Sequence, residues 1–147
     1  MGWLVEFVKA KEGFKSEPYL DAVGIETIGY GTTYYPDGTR VAITDVSISK
    51  AEAEILLKHT LNYFLDRVIM FENDNGYEWN NNQRAALTSF IYNGGERWLS
   101  QVTDGGKRDN ATIAEKMRLY HKASGKVLKG LVTRRNEEAD HFISYGD

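Results

Sequence analysis

The segment KEGFKSEPYLDAVGIETIGYGTT, residues 11–33, decides the fold. Just before it, Trp3, Leu4, Phe7 and Val8 recur at helical spacing, which predicts a short amphipathic helix. Gly13 ends that helix and leaves Glu12 in its last turn. The pattern then changes. Tyr19 and Leu20 lead into a glycine-containing turn at 22–24, and Thr27 to Tyr30 read as the returning strand. Gly31 interrupts that strand, and Pro36-Asp37-Gly38 marks a second turn before 40–43. A small sheet of two or three strands therefore follows directly on a helix end, and its hairpin can fold Asp21 and Thr27 back across the opening beside Glu12.

Everything after Ser47 reads as helical. Ser49 with Glu52 forms a capping-box pattern, and Ala53, Leu56, Leu57, Leu61, Phe64, Leu65, Val68 and Ile69 give one long apolar face. A polar run, 72–82, precedes a compact apolar helix at 83–92 that stops at Gly94-Gly95. Thr112 with Glu115 predicts the start of another helix, which Ser124-Gly125 breaks; the last helix follows Gly130. The expected class is α+β, mostly α. One domain over 1–147 is expected, with a β-containing lobe at about 13–46, a helical lobe from 1–12 and 47–147, and a long connecting helix.

Composition narrows the function. With 147 residues, 41% hydrophobic, the chain can bury one core, and with no cysteine it has neither disulfides nor thiolate metal sites. His59, His121 and His141 are scattered without ligand spacing, so no metal and no cofactor are expected. A net charge of -3 argues against a nucleic-acid partner. Charge is uneven, however: nine Lys or Arg between 107 and 135 are opposed only by Asp109 and Glu115, a surface that could steer an anionic polymer. Glu6 and Lys9 interrupt the early apolar stretch, so neither a secretory signal nor membrane insertion is expected. The reading is of a monomer made in the cytoplasm that reaches its site of action by another route.

The polar residues of the opening segment suit glycoside cleavage, which needs an acid to protonate the departing oxygen and a second carboxylate that attacks or activates water. Glu12, beside Phe14 and the aromatic helix, is placed to be partly out of water as the acid; Asp21, in a glycine-containing hairpin, stays wet and ionised. Thr27 offers a hydroxyl to help hold water.

The same residues carry a resemblance. Glu12-Gly13, Tyr19-Leu20-Asp21 and Gly24-Ile25-Glu26-Thr27-Ile28-Gly29-Tyr30-Gly31 look like the E-G, Y-x-D and G-x-x-T-I-G-Y-G signature of the phage-type lysozymes, or endolysins. Asn82-Gln83 with 86–95, and Gly130-Leu131-Val132-Thr133-Arg134-Arg135 with Glu138, resemble that family's buried helix and its C-terminal signature. The resemblance implies a lysozyme-like fold with the substrate cleft between two lobes. It also implies muramidase activity on the β-1,4 bond between N-acetylmuramic acid and N-acetylglucosamine of peptidoglycan, at the bacterial cell wall. Glu12 would be the general acid, Asp21 would orient or activate water, Thr27 would help it, and the course would be inverting. A non-catalytic glycan-binding relative and a lytic transglycosylase stay open as alternatives. Thr32 stands where many relatives carry histidine, and Glu26 should point to the opposite strand face. Tyr30, Thr32, Asn93 and Arg135 are candidate substrate contacts. Tyr30 can equally be sheet packing, Asn93 a helix cap, and Arg134 with Arg135 an ion-pair device toward Glu138.

Overall fold

The structure, a computed structural model, describes residues 2–144; the ends of the expected domain, 1 and 145–147, lie outside the described residues. Contacts divide the chain into two compact units, 1–63 and 64–147.

The first unit begins with α1, Gly2–Glu12, which buries Leu4, Val5 and Val8. Trp3 and Phe7 stack along its flank with ring centroids 4.6 Å apart. The helix ends where Gly13 turns to φ +72° and donates its N–H to Lys9 O at 3.0 Å, the left-handed stop that glycine adopts without a Cβ penalty. Strands β1, Lys15–Leu20, and β2, Glu26–Gly29, pair antiparallel with Tyr19 opposite Thr27 and Leu20 opposite Glu26. Their register is irregular between Lys15 and Tyr19, where Pro18 has no N–H to give the ladder.

The third strand suggested by 40–43 does not form; pairing continues only as single bridges, Ile28 to Thr32 and Tyr34 to Arg40. The reason lies in where the donors go. Ala42 N–H donates to Asp45 Oδ2 at 2.8 Å and Ile43 N–H to the Glu26 carboxylate, so side chains take the bonds a ladder would need.

Helix α2, Lys50–Asp74, starts at the expected box: Ser49 N–H donates to Glu52 Oε1 and Glu52 N–H to Ser49 Oγ, both at 3.1 Å. Its first half belongs to the first unit and its second half to the second. Gly29 lies against that first half at φ +67°, where an added Cβ would come within 3.1 Å of Ala53 Cβ. Sequence spacing groups 1–12 with the helices; contacts group α1 with the sheet, and Lys9 Nζ reaches Glu54 Oε1 at 2.6 Å.

In the second unit α3, Asn81–Gly94, starts two residues before the expected 83, because Asn80 and Gln83 form a reciprocal capping box. The short α4, Arg97–Val102, lacks a sequence signal of its own. Helix α5, Asn110–Met117, is capped by Asp109, whose side chain accepts from Thr112 N–H at 2.8 Å, rather than by Thr112 with Glu115. The expectation of helix alone after Ser47 fails at β3, Lys122–Ala123, and β4, Lys126–Val127, a second hairpin. Ser124 and Gly125 at φ 51° and 77° make its turn, a positive-φ pair that closes a two-residue hairpin and not merely a helix break. Helix α6, Lys129–Ile143, ends the described chain. Leu87, Phe90, Ile91, Leu99, Val102, Ile113, Met117 and Phe142 form the core of this unit. The class is the expected one, mostly helical with small antiparallel hairpins.

Candidate active site

All three catalytic candidates fall in the first unit. Glu12 ends α1 half-buried; Asp21 directly follows β1; Thr27 lies in β2, only 3% exposed. Asp21 accepts from Val23 N–H at 2.9 Å and Ile25 N–H at 2.8 Å through one oxygen, Oδ1, while its own N–H donates to Ile25 O at 2.9 Å. That oxygen therefore builds the turn. The other, Oδ2, is not occupied by these bonds. Thr27 Oγ1 donates to Ile25 O at 2.8 Å, so its single proton is committed and its lone pairs can only accept.

Tyr19 ties these groups together. It stands directly across the ladder from Thr27, and residues opposite one another share a sheet face. Burial pushes its phenol above the ordinary tyrosine value, and the negative charges of Glu12 and Asp21 push it further. Both carboxylates are thus within electrostatic reach of one hydroxyl, which keeps its proton and remains a donor. Lys15 Nζ lies 5.9 Å from the Tyr19 ring centroid. Sequence reasoning used Tyr19 only as part of a motif; its position two residues before Asp21 in a strand could have placed it beside the site.

Glu26 lies opposite Leu20, on the face away from Thr27, and holds Ile43 N–H. Tyr30 is 6% exposed and packs on Phe14 with centroids 5.6 Å apart, so it offers little surface to a ligand. Thr32 is wholly buried, its backbone exchanges two 2.9 Å hydrogen bonds with Ile28, and its hydroxyl has no partner among the described residues. Neither side chain lies where it would readily meet a sugar.

Asn93 and Arg135 come together in the second unit. Arg135 is 0% exposed, with its guanidinium 5.3 Å from the Phe90 centroid and 5.4 Å from that of Trp98. It donates to Asn93 Oδ1 at 2.8 Å and pairs with Glu138 at 2.9 Å. Arg134 and the Ser89 hydroxyl also donate to Glu138. Burial raises the Glu138 carboxyl above the usual glutamate range, against the pull of Arg135 and Arg134. Arg135 is enclosed by protein, which leaves Asn93, exposed at the end of α3, as the member of this cluster facing solvent.

A helix-end carboxylate, a turn aspartate and a buried strand threonine all belong to the first unit. Comparison with known proteins gives the family. The family model described as phage lysozyme matches residues 9–138. The endolysin of Salmonella phage P22 is 32% identical over 93% of this chain and 92% of its own length. The SAR-endolysin of Bacteriophage PS119 is 31% identical over 88% of this chain and 74% of its own. The crystal structure of a point mutant of P22 lysozyme superposes with a TM-score of 0.75 at 29% identity, covering 98% of this chain and 97% of that one. The chain belongs to the phage lysozyme family. It is accordingly a glycoside hydrolase of the muramidase type, an endolysin.

Proposed function

We propose that Glu12, Asp21 and Thr27 carry out the hydrolysis, with Tyr19 as a positioning residue, on the β-1,4 bond between N-acetylmuramic acid and N-acetylglucosamine. Glu12 gives its proton to the departing oxygen as the bond from that oxygen to the anomeric carbon breaks. A water molecule donates one hydrogen to Thr27 Oγ1 and the other to Asp21 Oδ2, which turns its lone pair toward the anomeric carbon. As the new carbon–oxygen bond forms, the proton directed at Asp21 passes to that carboxylate. Water attacks from the face opposite the leaving group, so the course is inverting.

The single observation that supports this reading is the bonding of Thr27. With its proton held by Ile25 O, the hydroxyl can only accept, and it shares a sheet face with Tyr19, which feels both carboxylates. An Asp21 that anchors its own turn through Oδ1 is better suited to holding water through Oδ2 than to moving as a nucleophile. We further propose that the protein acts as a monomer on the cell wall after synthesis in the cytoplasm.

Glu12→Gln is expected to lower wall clearing by at least about a thousandfold with an unchanged thermal midpoint. Thr27→Ser keeps most of the activity, and Thr27→Val loses roughly tenfold or more, because only serine restores the acceptor. NMR of the first product should show the inverted anomer. Retention of configuration, or anhydro sugar in the mass spectrum of digested wall, would remove the proposed role of water.

A further inference from the structure

The hairpin of β3 and β4 presents a combination that packing does not explain. All nine residues from 122 to 130 are exposed, including Val127 at 56% and Leu128 at 44%, and Leu119 just before them is 60% exposed. Both strands are open to water along their length, with Lys122 opposite Val127 and Ala123 opposite Lys126. Two such strands are marginal by themselves, and what holds them is the positive-φ turn and the Leu128 N–H bond to His121 O at 3.0 Å. The apolar side chains are therefore left about half open to water.

Charge is concentrated on the same nine residues. Lys122, Lys126 and Lys129 supply three positive charges with no acid among them, in a chain whose net charge is -3. None of the three takes part in an ion pair among the described residues. The nearby Arg118, by contrast, is neutralised by Asp140 at 2.7 Å.

We infer that this hairpin, with Leu119, is a docking surface for an anionic lipid bilayer, on which the protein rests without crossing it. A soluble phosphate polymer would satisfy the lysines and leave Leu119, Val127 and Leu128 as wet as before. A bilayer interface takes both: lipid phosphates meet the ammonium groups while the apolar side chains enter the headgroup boundary. Among the described residues no helix is long and apolar enough to cross a membrane, in keeping with surface attachment. The inference is independent of the catalytic assignment, since it uses none of those residues.

The test is co-sedimentation of the full chain with vesicles of phosphatidylglycerol and phosphatidylethanolamine in equal parts, against phosphatidylcholine vesicles. Binding is expected to the anionic vesicles only, weakening as salt rises. Lys122→Glu with Lys126→Glu should reduce it by about tenfold or more. Val127→Ser with Leu128→Ser should reduce it several-fold and leave wall hydrolysis unchanged, and both pairs should leave the thermal midpoint unchanged. Equal binding to both vesicle types, or none, overturns the inference. So does a serine pair that binds like wild type while polyphosphate displaces the protein, because that outcome identifies a soluble polyanion as the partner.

Discussion

Thr32 illustrates how one side chain can fit a cavity in shape and not in chemistry. Its backbone is fully paired to Ile28, its side chain is wholly enclosed, and its hydroxyl meets no partner among the described residues. An enclosed hydroxyl without a hydrogen bond forfeits the bonds it made to water, at a cost of about 1–3 kcal/mol. Thr32→Val keeps the shape and removes the polar atom. It should raise stability by about 1 kcal/mol in urea titration, with wall hydrolysis retained. A loss of stability would mean that a bound water satisfies the oxygen. The sequence marks the position only through the family resemblance; that the hydroxyl lacks a partner is legible only from the packing around it. Thr27 is the opposite case, since a carbonyl two residues away takes its proton and defines which way the oxygen can bond.

At the scale of elements, helix ends and turns are the most legible features because their causes are local. Gly13 stops α1, and Ser49 with Glu52 starts α2, through side-chain and backbone bonds within four residues. The Gly94-Gly95 pair is read correctly as the end of α3, yet Gly94 has a second role that no local pattern announces. A Cβ there would sit 2.0 Å from the Trp98 ring. Trp98 is in turn held by Phe90 at 4.9 Å, Tyr120 at 4.7 Å and the Arg135 guanidinium at 5.4 Å, so moving it aside would break those contacts. Gly94→Ala should therefore destabilise the protein by about 2–3 kcal/mol, whereas alanine in an ordinary helical glycine position would stabilise it. Thermal unfolding of that single variant distinguishes the two.

At the scale of the whole molecule, stability against acid depends on carboxylates whose native partners lie outside their own helix, as with Glu72. Glu72 accepts two bonds from Arg84, at 2.8 and 3.0 Å, and one from Trp79 N–H at 2.9 Å. Burial alone would raise its carboxyl, but these partners outweigh it and hold the group below its ordinary value of 4.5. A depressed native value means that the stabilisation is fully present above the unfolded value and is lost as pH falls through the native one. Glu72→Gln should cost about 2–3 kcal/mol at neutral pH, and the gap from wild type should close progressively below about pH 4.5 in urea titrations. A gap independent of pH would assign the loss to shape alone. The amino-acid sequence by itself determined the class of fold, the glycine ends of α1 and α3, the capping box of α2 and the order of the three motifs, and it nominated the three polar residues of the proposed site, because periodicity, capping and turn chemistry act over a few neighbours. Only the tertiary structure decided that Ile43 gives its N–H to Glu26, that Arg135 is walled in by aromatic rings, and that Tyr19 feels both carboxylates. Each of those depends on groups brought together through space, and on water excluded from between them, which no run of adjacent residues records.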